Sequence, residues 1–194
     1  MLKKISLMAV LAAVAMVPSS GAKAYPLNPY LGFALGSSTN TMKTVDSFGN
    51  ATKASLKGDF AYTFAGGFQL DLIPLITPRV EFEYANLSSS NNGVEGNVAG
   101  YGVNAYVSLP LMPIIKPYIG VGVMRMAQEF GAFKSEAGNV PQYMVGLDLD
   151  IPMVPIAGGI EWRYMNMTGS VDQPLIDTLK SSVSTVLAKI RVQF

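Results

Sequence analysis

The stretch that most restricts the fold is the last one, Val183-Ser-Thr-Val-Leu-Ala-Lys-Ile-Arg-Val-Gln-Phe194. Counted back in twos, Phe194, Val192, Ile190, Ala188 and Val186 are apolar, whereas Gln193, Arg191 and Lys189 are polar or cationic. A strand sends alternate side chains to opposite faces, so this segment has one greasy face and one charged face. In a soluble sandwich the charged face meets water and the greasy one a core. In a barrel that crosses a bilayer the greasy face meets lipid and the charged face lines the lumen. Alternation alone allows both. The aromatic residue on which the strand closes favours the second, and the rest of the chain adds to it.

A chain of 194 residues fits one domain. Its charged fraction is 14%, against about 25% in ordinary globular proteins, while 49% is hydrophobic. Cysteine is absent, which removes disulfides and thiolate metal sites. Histidine is absent too. No other unperturbed side chain titrates near neutrality, so Ser–His and Asp–His chemistries are excluded, and an enzyme would need a perturbed carboxylate or lysine.

Met1 to Ala24 reads as a secretory leader, with Lys3-Lys4 as its basic start, an apolar run from Ile5 to Val17, and an Ala22-Lys-Ala24 cleavage site. That run is too short for a membrane helix, which needs roughly 20 apolar residues. No Cys follows the cleavage point to carry a lipid anchor. Without Lys3, Lys4 and Lys23 the 14 basic residues fall to 11 against 13 acidic, a mature charge of −2. The basic footprint of a nucleic-acid binder is therefore missing.

From Tyr25 onward the chain divides into eight alternating segments. The first, Tyr30 to Ser37, sets Leu31, Phe33 and Leu35 against Gly32, Ala34 and Gly36; the second, Phe60 to Asp71, sets Phe60, Tyr62, Phe64 and Phe68 against Ala61, Thr63, Ala65, Gly67 and Gln69. The third, Arg79 to Leu87, opposes Val80, Phe82 and Tyr84 to Arg79, Glu81 and Glu83, and the fourth, Val98 to Leu109, opposes Tyr101, Val103 and Val107 to Gly100, Gly102, Asn104 and Tyr106. The fifth starts at Tyr118, and its parity breaks near Arg125, where Met124 and Met126 fall on the wrong face. A bulge, or Arg125 snorkelling at the rim, would repair it. The sixth, Gln142 to Ile151, carries Asp148 and Asp150 on its polar face, the seventh, Ala157 to Met167, carries Glu161 and Arg163, and the opening stretch is the eighth. A short helix is expected near Pro174 to Lys180.

Two regularities make these segments a barrel. Connections after odd segments are polar (Ser38 to Lys57, Ser88 to Asn97, Thr168 to Ser182), while those after even ones are compact and Pro-rich (Leu72 to Pro78, Leu109 to Pro117, Ile151 to Ile156). That alternation is expected when one end meets the exterior and the other the periplasm. In addition, one face of nearly every segment is small or charged, as an eight-stranded lumen filled by side chains requires. The same placement collects Tyr62, Tyr84, Tyr101, Tyr143 and Tyr164 towards the outer rim, where amphipathic rings favour the headgroup level.

The polar face holds the chemistry: Arg79, Glu81, Glu83, Asp148, Asp150, Glu161, Arg163, Lys189 and Arg191, four cations against five anions. In a lumen starved of water these groups must pair. The expectation is a structural plug of ion pairs, with a narrow polar pathway as the sharper alternative. Asp148 and Asp150 answer Arg and Lys on neighbouring strands better than they hold a metal. The glycines of Gly32-x-x-x-Gly36 and Gly120-x-Gly122 lack the helix and the basic residue of a phosphate cradle and instead remove inward bulk.

Tyr30-Leu-Gly32, Gly66-Gly-Phe68, Glu81-Phe-Glu-Tyr84, Pro117-Tyr-Ile-Gly-Val-Gly122, Trp162-Arg-Tyr164 and Val192-Gln-Phe194 resemble the eight-stranded outer-membrane barrels of the OmpA-transmembrane, OmpX and opacity-protein type. The Pro-rich turns depart from that pattern, being longer and greasier. The resemblance implies an all-β, antiparallel, up-and-down transmembrane barrel over residues 25–194. It also implies a monomer acting as surface antigen, adhesin or wall-stabilising protein. Ile190, Val192 and Phe194 resemble the C-terminal signal read by the barrel-assembly machinery. Expected partners are outer-membrane lipid, lipopolysaccharide and an external surface ligand, with no nucleic acid, cofactor, metal or catalytic residue. A small pore and a soluble periplasmic lipid-binding barrel are the alternatives. In the second, the apolar faces would point inward.

Overall fold

The computed structural model describes residues 27–46, 51–70, 76–91, 94–110, 112, 114–130, 133–151, 154–169 and 176–194. The expected leader, with Ala22 and Ala24, lies outside them. The elements are all strands: β1 (Leu27–Asp46), β2 (Ala51–Leu70), β3 (Thr77–Asn91), β4 (Val94–Ser108), β5 (Ile115–Phe130), β6 (Phe133–Asp150), β7 (Ile156–Gly169) and β8 (Ile176–Gln193). Each pairs antiparallel with the next, and β8 returns to β1 to close the barrel.

The stagger follows from the pairing. Stepping across the ladder from Tyr30 leads through Gly67, Glu81, Asn104, Gly122, Gln142, Met165 and Val183 back to β1 at Asn40, ten residues further on. Eight strands with that stagger tilt by about 43°, so each residue climbs about 2.4 Å along the axis and each step across the ladder about 3 Å. On this scale Tyr62, Tyr84, Tyr101, Tyr143 and Tyr164 lie within about 4 Å of one another in height, and the apolar outer band from Leu27 up to them measures about 23 Å, the height expected of a lipid-facing band.

Parity decides what that band contains. Phe82 is 61% exposed and Val192 37%, whereas Glu83 is 4% and Lys189 5%. The oily row therefore looks outward and the ionic row inward, the reverse of a soluble lipid-binding barrel.

Several segment boundaries differ from the sequence reading. β1 and β2 continue through most of Ser38–Lys57, pairing as far as Val45↔Ala51. Residues 176–180 belong to β8, paired on both sides as far as Thr44↔Leu179 and Gly169↔Leu179 and with β1 as far as Asp46↔Ile176, and form no helix. Ser, Thr, Asn and Lys occupy both parities of this stretch, so the period of two disappears from the sequence although Ser38 and Asn40 still point inward.

The pairing of β4 with β5 runs unbroken past Tyr101↔Arg125. Met124 and Met126 are buried inside and Arg125 is exposed outside. The parity of β5 therefore never breaks, and its one register shift against β6 comes only after Met126. The β6–β7 ladder stops at Gln142↔Met165, next to Pro141, which has no N–H to extend it.

Candidate functional site

The lumen is the one place where polar chemistry is concentrated, and its occupants follow from the inward parity of each strand. Asp148 on β6 accepts from Arg79 on β3 and from Arg191 on β8, both at 2.8 Å. Arg191 also stands 3.8 Å from Asp150, which Lys116 on β5 bridges from the rim at 2.5 Å. Higher up, Arg163 on β7 grips Glu83 across the lumen, one contact at 3.0 Å, and Glu161 on its own strand at 2.7 Å. Lys189 on β8 binds Glu161 at 2.9 Å and lies 3.8 Å from Glu81. These pairs form two groups, Arg79, Arg191, Asp148 and Asp150 below and Arg163, Lys189, Glu81, Glu83 and Glu161 above, which together take in all nine residues singled out from sequence.

The two groups have members that sequence reasoning missed. Lys116 sits in the Pro-rich run, ahead of Tyr118; extending the parity of the fifth segment two residues back from Tyr118 finds it. With Lys116 included, five cations face five carboxylates.

Three inward tyrosines donate to the carboxylates as well. Tyr30 reaches Glu81 at 2.9 Å, Tyr106 reaches the same group at 3.2 Å, and Tyr118 reaches Glu161 at 2.9 Å. Asn104 donates to Glu83 and accepts from Gln142. Arg79 Nε and Nη2 have no hydrogen-bond acceptor among the described residues. The guanidinium instead lies over the rings of Tyr106 at 4.4 Å and Tyr118 at 5.0 Å, where the ring faces attract it.

Glycine makes this crowding possible. A Cβ on Gly67 would stand 2.6 Å from Tyr30 Oη, and Gly120 and Gly146 are equally occupied by the rings of Tyr106 and Tyr118. Each of these three tyrosines thus rests on a glycine of the neighbouring strand.

Above the ionic layer apolar side chains gather in the lumen beside the inward Ser38, Asn40, Ser181 and Thr185. Leu87, Val98, Met124, Met126, Val140, Met165, Met167 and Val183 form one buried cluster, joined by Leu187 and three alanines. By the same stagger, most of this cap lies about 17–23 Å above Tyr30, while the charged groups lie between about −4 and 13 Å. Ions and tyrosines therefore fill the lumen at bilayer height, and a methionine-rich cap lies over them. Among the described residues no group of three or more Asp or Glu side chains is arranged to hold a metal.

Residues 7–186 match the model of the outer membrane protein beta-barrel domain. The chain belongs to that family. A comparison with curated protein sequences found no match. Among solved structures, this outer-membrane barrel is similar to Neisserial surface protein A, at 18% identity and a TM-score of 0.54, over 84% of this chain and 97% of that one. It is similar also to the outer membrane protein AlkL in lipid bilayers, at 16% identity and a TM-score of 0.57, over 91% and 94%. The outer membrane protease OmpT from Escherichia coli aligns at 8% identity and a TM-score of 0.52, over 91% and 100%.

Membership locates the protein in the Gram-negative outer membrane and its apolar band in the bilayer. With the orientation expected from the alternating connections, the end that holds Leu27 and Gln193 faces the periplasm and the far ends of β1 and β2 the exterior. Ile190, Val192 and Phe194 lie on the lipid side of β8, and the Phe194 amide donates to the Pro29 carbonyl at 3.0 Å.

Proposed function

We propose that this protein is a non-enzymatic, closed-lumen outer-membrane barrel whose long outward hairpins meet the exterior, in surface adhesion or in maintaining the envelope. The observation that carries the reading is the lumen's two-tier filling. At bilayer height every described carboxylate is tied to a cation, and above that layer a cluster of packed apolar side chains narrows the way out. Acid–base catalysis is equally disfavoured. The sequence contains no histidine, and Glu81, Glu83 and Glu161 are engaged by cations, tyrosines or Asn104. The protein acts as a monomer, handled by the barrel-assembly machinery through Ile190, Val192 and Phe194.

Planar-bilayer recording tests closure, and a comparison of deletion and parent cells for surface adhesion and detergent sensitivity tests the role. Silent bilayers and a defect in either cell assay are expected. A second reading, a gated polar pathway, draws on donors left without acceptors at bilayer height, Arg79 Nε and Nη2 and Arg191 Nη1. Stable conductance steps that vanish on changing Arg79 or Arg191 would establish it.

A further inference from the structure

Eleven charged residues have described side chains, and ten of them point into the lumen. The exception is Arg125, exposed on the outer wall of β5. A guanidinium facing the acyl chains would cost about 2–4 kcal/mol at the midplane and little near the interface, so its height decides what it meets. Arg125 stands opposite Tyr101, and by the stagger about 3 Å above it, just over the tyrosine belt and on the side away from the termini. That is the headgroup level of the outer leaflet.

Its neighbours in the same row are donors. Tyr101 on β4 is exposed and presents a phenol, and Asn139 on β6, paired with Arg125 on the other side, is exposed and presents a carboxamide. Among the described residues no carboxylate pairs with Arg125. The row also ends at a seam. Since the β6–β7 ladder stops at Gln142, the strand backbone at Asn139 has no ladder partner in β7. Guanidinium, phenol and amide thus stand at facing positions on three adjacent strands, exposed at the height where lipid phosphates sit, and a guanidinium fork suits phosphate oxygens.

We propose that Tyr101, Arg125 and Asn139 bind a phosphate of the phosphorylated glycolipid that forms the outer leaflet. The site rests on the outer-membrane location and is independent of whether the lumen conducts. Arg125 supplies the charge, Tyr101 and Asn139 orient the phosphate, and the belt below packs against the acyl chains.

The test uses the full mature chain in detergent micelles. The midpoint for loss of the compact form on a gel is followed while bis-phosphorylated lipid A, dephosphorylated lipid A or phosphatidylglycerol is added. Bis-phosphorylated lipid A is expected to raise the midpoint, with R125Q needing about ten times more lipid for the same rise and R125K less. Because Arg125 is exposed, the lipid-free midpoint of R125Q should match the parent; the double change Y101F/N139A provides a second variant that keeps the cation and should weaken the response several-fold. Superimposable titrations of parent and R125Q would overturn the site. An equal response to phosphatidylglycerol would overturn the assignment to the glycolipid.

Discussion

Replacing Arg163 by Met removes the group that holds the upper ionic layer together. Arg163 is fully buried and is bonded to Glu83 and Glu161. After the change Glu161 keeps Lys189 at 2.9 Å and Tyr118 at 2.9 Å, so it remains compensated. Glu83 keeps only the Asn104 amide and becomes a buried carboxylate without a cation. Breaking a buried pair on one side costs about 3–5 kcal/mol, and nearly all of it should come from Glu83. Arg163→Met combined with Glu83→Gln should therefore recover most of the loss, with a coupling of about 2–3 kcal/mol. Arg163→Met combined with Glu161→Gln should recover little, because it also strips Lys189 of its closest carboxylate. Urea unfolding in lipid vesicles measures this, reported by Trp162, the only tryptophan in the chain, which lies on the outer wall at the bilayer. A loss below about 1 kcal/mol for Arg163→Met, or equal recovery from the two double variants, would refute the assignment of the cost to an unpaired Glu83.

Other outcomes follow from the same geometry. Ile119, 66% exposed near mid-band, should tolerate Arg at a cost of about 2–4 kcal/mol, whereas Ala127→Arg, above the tyrosines, should be close to neutral in the same unfolding assay. Gly120→Val puts bulk where the Tyr106 ring rests and should lower the thermal midpoint, with Tyr106→Ala partly restoring it; no restoration would mean that the Tyr106–Gly120 contact is not the cause. Unboiled protein should migrate faster than boiled protein on a detergent gel, and removal of Phe194 should reduce the amount of the fast form in cells while leaving refolding in detergent largely intact. The intact mass of protein taken from outer membranes should correspond to Tyr25–Phe194, as cleavage after Ala24 requires.

What the sequence discloses is face, and what it withholds is height. The alternation around Glu81-Phe-Glu-Tyr84 and Trp162-Arg-Tyr164 assigns those charges to one side of a strand without any structure. It does not say that Arg163 meets Glu83 from 80 positions away, because that meeting depends on a stagger set by eight pairings together. Lys116 was hidden for a related reason: two prolines flank its run, and a strand that begins inside a Pro-rich turn shows too few residues to display a period. Tyr30 and Tyr118 look like ordinary strand aromatics until the glycine opposite each one shows that the ring lies inward, whereas Tyr106 shares the parity of Gly102 and Asn104 in the sequence itself. Near Arg125 the expected rule failed because inward does not mean polar over the whole height. Above the bilayer a lumen can be dry and a wall can be charged, so Met124 and Arg125 exchange their usual sides.

The cost of burying eight charges would be hard to understand if stability were their only use, since well-packed apolar residues often serve as well. Their arrangement gives a different advantage. A slip of one residue in any strand turns its whole inward set to the lipid. For β8 that would bring Lys189 and Arg191 into the hydrocarbon, at about 2–4 kcal/mol each near the midplane, and leave Asp148, Glu161 and Glu81 short of cations. For β3 it would expose Arg79, Glu81 and Glu83 together. An apolar lumen would feel such a slip far less, because Leu or Val serves either side of the wall. The links also join strands far apart in sequence, Arg79 to Asp148 and Asp148 to Arg191, so no subset of hairpins satisfies them. The ionic layer thus favours the closed, correctly staggered barrel over every partial or shifted one.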